Sequence, residues 1–157
     1  MNSAPKHSSS PTVFPPMGLA LDFMRVLWAL DHGLQAGSKR MSMRLGITGP
    51  QRLVVRMIGK LPGLSAGQLA TALHVHPSTL TGVLKRLEER GAIQRRGSAE
   101  DRRRAHFYLT KEGERINKWQ LGTVEARIRR ALVRLNPKDV ATARAVLGVI
   151  TSELTDR

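Results

Sequence analysis

Residues 76–109 read HPSTLTGVLKRLEERGAIQRRGSAEDRRRAHFYL, a helix followed by a basic hairpin. Pro77 suits the first helical turn, where a missing N–H costs nothing. Gly91 suits the position just past the end, where a left-handed backbone is wanted. Leu80, Val83, Leu84 and Leu87 recur at three- and four-residue steps and predict one buried face. The other face carries His76, Ser78, Thr79, Thr81, Gly82, Lys85 and Arg86, short near the N-terminus and cationic one to two turns later. A face of that shape can enter a major groove, and taken alone it also fits an ordinary solvated surface.

The hairpin shifts the balance. Arg95 and Arg96 end one short extended run and Arg102, Arg103 and Arg104 begin another, with Gly97, Ser98 and Ala99 expected in the connection. Five arginines at one tip repel each other, and a polyanion supplies the missing countercharge. Asp101 lies within the cluster, where a carboxylate can accept a forked pair of bonds from a guanidinium and fix its direction.

Upstream, Ser65 and Gln68 form a capping-box pattern, with Leu64 and Leu69 placed for a hydrophobic staple. They open a short helix that buries Leu69, Ala70 and Leu73 and leads through HVH into the stretch above. Short helix, tight turn, helix with a polar outer face and basic hairpin make a winged helix-turn-helix. Before it, Thr48 and Gln51 repeat the capping box, and Leu53, Val54, Met57 and Ile58 are expected in the core. Arg52, Arg56 and Lys60, four apart, read as a solvated face.

Whole-chain properties agree. A length of 157 residues with 41% hydrophobic content supports one core plus a shared interface. Lys and Arg number 26 against 12 Asp and Glu, a net charge of +14, which points to nucleic acid. Asp22 and Arg25 interrupt the most apolar early segment, so no membrane span is expected. The first sixteen residues lack the apolar centre of a signal peptide, and a cytoplasmic location is the expectation. The absence of cysteine excludes disulfides, thiolate zinc sites and thiol redox switching. His7, His32, His74, His76 and His106 fall in no catalytic constellation, and the pair His74 and His76 is too sparse to bind a metal, so neither an enzyme nor a cofactor is expected.

The flanks divide the chain further. Residues 1–16, rich in Ser and Pro, read as a disordered tail. From Met17 to about Met43, Leu19, Phe23, Val26, Leu27, Leu30 and Leu34 recur at helical spacing. After Thr110 a long helix is expected to about Leu135 through Ile116, Leu121, Val124, Ile128 and Leu132. Asn136 and Pro137 interrupt it, and a last helix carries Val140, Ala143, Leu147, Ile150 and Leu154, a seam that needs a partner. Residues 136–157 hold three basic and three acidic residues, net zero, whereas 76–104 hold eight and four, net +4. A neutral apolar helix is what a dimer interface favours. The chain thus divides into 17–45, 46–110 and 111–157, with the winged helix-turn-helix in the middle.

The run from Leu64 to Gly113, with LSAGQLATALHVHPSTLTGVLKRLEERGAIQRR and EDRRRAHFYLTKEG, resembles the MarR family of winged-helix transcription regulators. That resemblance implies a mainly α fold with a small β-hairpin wing and a homodimer joined through both terminal helical segments. Ser78, Thr79, Thr81, Lys85 and Arg86 then meet DNA, and Asp101 orients Arg103 toward the minor groove. Ser98 stands where the family often has aspartate, which leaves Asp101 the single clamp, and Gly82 offers no base-reading side chain. The interface implied includes Leu19, Phe23, Leu27, Val140, Leu147, Ile150 and Leu154. The function implied is a sequence-specific repressor released by a small effector, for which an anionic aromatic ligand suits the basic first two helices; no pocket residue is assigned. The alternative is an architectural protein that coats DNA without reading it.

Overall fold

Capped helices and a three-stranded sheet surround an apolar core, built where the local start and stop signals require. The computed structural model describes residues 15–97 and 105–155. The chain divides into two units, Met1–Gly33 and Leu34–Arg157. Helix α1 spans Leu19–Leu45, so the first unit contributes its N-terminal part, where Leu19, Phe23 and Trp28 are exposed, Trp28 to 73%.

Helix α2 (Gly49–Lys60) starts on Thr48, whose hydroxyl accepts from the Gln51 amide while Gln51 accepts from the Thr48 amide. Ser38 on α1 accepts from the Gly49 amide at 2.8 Å and ties the two helices together. The buried face of α2 is Val54, Val55 and Ile58. Leu53, expected inside, is 52% exposed, because that face runs through 54, 55 and 58 and leaves position 53 on the far side. Arg52 corrects the sequence reading more sharply. It is 1% exposed and not part of a solvated face.

Strand β1 (Leu64–Ser65), not foreseen from the sequence, pairs antiparallel with β3 (Ala105–Leu109), which pairs with β2 (Ile93–Gly97) in the order β1-β3-β2. Gly97 lies within β2, opposite Ala105, rather than in the connection. Helix α3 (Ala66–Leu73) carries the expected capping box between Ser65 and Gln68. It ends on His74, whose backbone is left-handed at φ 50°. Helix α4 (Pro77–Glu89) follows and buries Leu80, Leu84 and Leu87. These residues meet Met41, Ile47, Ile58, Leu69, Phe107 and Ile116 in the core.

The long helix expected after the hairpin is two. Helix α5 (Lys111–Lys118) is capped by Thr110, which accepts from the Gly113 amide at 3.1 Å. Arg115 donates two 2.8 Å bonds to Glu112, and that pairing holds the Glu112 carboxyl below the usual carboxylate range. Residues 119–123 then break the helical ladder. Gly122 is left-handed at φ 75°, and Thr123 caps α6 (Val124–Leu132) by accepting from the Ala126 amide. Leu121, expected on the apolar stripe, sits in this break and is 88% exposed. Helix α7 (Pro137–Thr155) closes the described chain. No described residue of α6 or α7 is buried.

Candidate nucleic-acid interface

Three separate devices fix α4 in the winged unit. At its N-terminus His76 is the cap: its Nδ1 accepts from the Ser78 amide at 3.3 Å and lies 2.7 Å from Ser78 Oγ. At the C-terminal end Arg90 donates to the Gly46 and Leu45 carbonyls, which anchors α4 to the end of α1. Along its length the Leu80, Leu84 and Leu87 face is sealed into the core.

What remains outward is the set expected from sequence. His76, Ser78, Thr79, Thr81, Gly82, Lys85 and Arg86 are all exposed. Thr81 Oγ1 donates to the Pro77 carbonyl at 2.9 Å, so its hydroxyl proton is committed within the helix and its lone pairs face outward as acceptors. Lys85 pairs only loosely with Glu89, at 3.9 Å, on a fully solvated face where such a pair contributes little. Gly82 has open space around its Cα, so the helix surface is flat at its centre.

Beside α4 the sheet adds Arg95 and Arg96, both exposed, with the Arg96 guanidinium 4.8 Å from the centroid of the Tyr108 ring. Asp101, Arg102, Arg103 and Arg104 lie outside the described residues. Between α3, α4 and the sheet runs a groove of about 600 Å³ lined by Ser65, Gln68, Thr81, Lys85, Arg95 and His106, among others. The sequence reading gave Ser65, Gln68 and His106 no place here, since their proximity depends on β1 pairing with β3. His106 donates from Nδ1 to the Gly63 carbonyl at 2.7 Å, which pins that edge of the sheet. Among the described residues no cluster of three or more His, Cys, Asp or Glu is placed to hold a metal ion. Nor is any described helix long and apolar enough to cross a membrane.

The apolar residues assigned to an interface fall in both units. Leu19 and Phe23 are exposed and Leu27 half-buried on α1; on α7 Leu147 and Leu154 are exposed, with Val140 and Ile150 half-buried.

A short helix, a left-handed turn and an exposed polar second helix, flanked by an antiparallel hairpin bearing arginines, define a winged helix-turn-helix protein. The MarR family model matches residues 47–105. An HTH-type transcriptional repressor of Mycobacterium tuberculosis is 36% identical over 109 residues, which is 69% of this chain and 78% of that protein. The solved structure of MarR superposes with a TM-score of 0.64 at 27% identity, over 90% of this chain and 95% of its own. The S. aureus MepR–DNA complex shares the fold with a TM-score of 0.70 at 20% identity, over 84% of this chain and 97% of its own. The chain belongs to the MarR family of DNA-binding transcription regulators. Its relatives are regulators rather than enzymes.

Proposed function

We propose that the protein is a homodimeric, sequence-specific repressor whose two α4 helices enter successive major grooves and whose hold on DNA is released by a small effector. The observation that carries this reading is the outward face of α4. Seven positions from His76 to Arg86 are exposed and polar or small, on a helix fixed at both ends and sealed behind. The mycobacterial relative named a repressor and the MepR structure solved with DNA support it. Arg95, Arg96 and Arg102 to Arg104 would meet phosphate or the minor groove, with Asp101 orienting Arg103; 101–104 lie outside the described residues.

A second copy of the chain is the partner proposed for the terminal helices. Leu147, Val149 and Leu154 on α7, and Leu19, Val26 and Trp28 on α1, present apolar side chains to solvent. Monomeric proteins seldom leave such surface uncovered. The effector class proposed is a small anionic aromatic, matched to the excess of positive charge. The architectural alternative predicts no preferred site.

Footprinting on the DNA upstream of its own gene separates these readings. A two-fold dimer protects a roughly palindromic site with half-site centres about one turn, on the order of 10 base pairs, apart. A uniform ladder of protection at all positions would overturn the proposal in favour of an architectural coat.

A further inference from the structure

We infer that Arg52 and Glu125 form a clasp that sets the direction in which α6 leaves the winged unit, and thereby the half-site spacing that a dimer accepts. The inference rests on the dimeric DNA-binding function proposed above and assigns Arg52 and Glu125 a role as positioning residues.

The break at 119–123 creates the need for such a clasp. A continuous helix would transmit direction through its own hydrogen-bond ladder, but Trp119 is extended and Gly122 is left-handed, so no ladder crosses the junction. One side chain spans it instead. The guanidinium of Arg52 donates to the Ile116 carbonyl, to the Asn117 carbonyl at 3.3 Å and to the Trp119 carbonyl at 2.6 Å, all at the C-terminal end of α5. The same group donates from Nε at 2.9 Å and from Nη2 at 2.6 Å to Oε1 of Glu125, in the first turn of α6. Arg56 seconds it, donating to the Asn117 carbonyl at 3.0 Å and to Asn117 Oδ1 at 2.8 Å, with Glu125 3.9 Å away.

The elements at the junction lie in contact. A Cβ at Gly59 would come within 2.5 Å of Asn117 Nδ2, so α2 and the end of α5 touch through a glycine. On the α6 side, Val124 Cγ2 lies 3.5 Å from where a Cβ at Gly37 would sit and 3.9 Å from one at Gly49. The start of α6 thus lies in ordinary van der Waals range of α1 and α2, and the ion pair points it.

The consequence for DNA follows from lever length. Nine residues of α6 extend about 13 Å, so a 10° swing at the junction moves its far end by roughly 2 Å. Two protomers double that to about 4–5 Å, more than the roughly 3.4 Å rise of one base pair. A dimer whose α6 helices are held rigidly therefore distinguishes neighbouring spacings, and one with a loosened junction does not.

The test uses half-sites that the parent protein selects from a randomised duplex pool, rebuilt with the spacer shortened or lengthened by one and two base pairs. Binding is measured by fluorescence anisotropy alongside a duplex bearing a single half-site, and dimerisation by sedimentation. The parent should lose about tenfold in affinity per base pair of misspacing, the scale of one mismatched position. Glu125→Ala should flatten that profile to within about threefold, with single half-site affinity and dimerisation unchanged, because α4 is untouched. Glu125→Gln, which keeps the shape and one acceptor, should lie between and serves if the alanine variant does not fold. A folded variant that keeps the parent's spacing profile, or that no longer dimerises, overturns the clasp. A parent protein that selects no paired half-sites would instead overturn the dimeric DNA-binding function on which the clasp rests.

Discussion

Replacing Arg52 by Met should cost about 3 kcal/mol of stability, and the figure can be built from its partners. Methionine fills most of the arginine volume, so the cavity contribution is small. Of the three carbonyls served, Ile116 keeps the Trp119 amide and Asn117 keeps Arg56, which leaves the Trp119 carbonyl stranded. A buried acceptor without a partner costs about 1–3 kcal/mol. Glu125 loses its shortest contact, but its side chain is 32% exposed and rehydrates, so that loss is discounted to about 1 kcal/mol. For a domain of this size the sum lowers the melting temperature by roughly 6–12 °C. Differential scanning calorimetry at fixed protein concentration measures it, since dimerisation makes the midpoint concentration-dependent. Glu125→Gln should cost only about 1 kcal/mol, because the amide oxygen still accepts. If Arg52→Met melts within about 2 °C of the parent, as a surface substitution would, the buried guanidinium does not hold the junction and the reasoning fails.

Three further outcomes are expected. Gly113→Ala should destabilise by about 3 kcal/mol or more in thermal melts, because the added methyl would overlap the Ala92 carbonyl oxygen and crowd Leu109 Cβ at 3.2 Å, and backbone cannot step aside cheaply. Leu147→Glu should split the proposed dimer in sedimentation at micromolar concentration while leaving the circular dichroism spectrum intact, since Leu147 packs into no core of its own chain. Arg95→Ala should reduce the slope of log affinity against log salt by about 0.9 if it neutralises one phosphate, with equal effect on operator and random duplexes.

What the sequence disclosed follows from the range of the interactions involved. The caps at Thr48 and Ser65 join groups three residues apart, so residue type and spacing suffice to read them. The α4 core face was legible because three leucines at helical period leave one way to face inward. Strand β1 was not, since two residues show no alternation and pair only because Phe107 and His106 arrive from forty residues downstream. Arg52 misled because its partner Glu125 is 73 positions away, and its burial is decided by that partner rather than by its own neighbours. The break in the predicted long helix did leave a signal. Gly122 followed by Thr123 is a helix stop followed by a helix start, and the apolar spacing of Leu121 and Val124 outweighed it.

The disposition of arginine bears on the choice between reading and coating DNA. A chain with a net charge of +14 could bind any duplex through its outward cations alone, and for that purpose their orientation would be immaterial. Here three arginines are engaged by the protein's own backbone and side chains, Arg52 buried, Arg56 half-buried and Arg90 at the surface. Arg52 and Arg56 gather the ends of α5 and α6, and Arg90 holds the end of α4 against the last carbonyls of α1. Each helps to fix the angle of an element. Base readout needs donors and acceptors held to within a fraction of an ångström, whereas counterion release tolerates far looser placement. The acceptor face of Thr81, set by its bond to Pro77, is rigid in the same sense. Arginines that orient α4 and α6 thus support the proposed reading, in which two recognition helices are held in register.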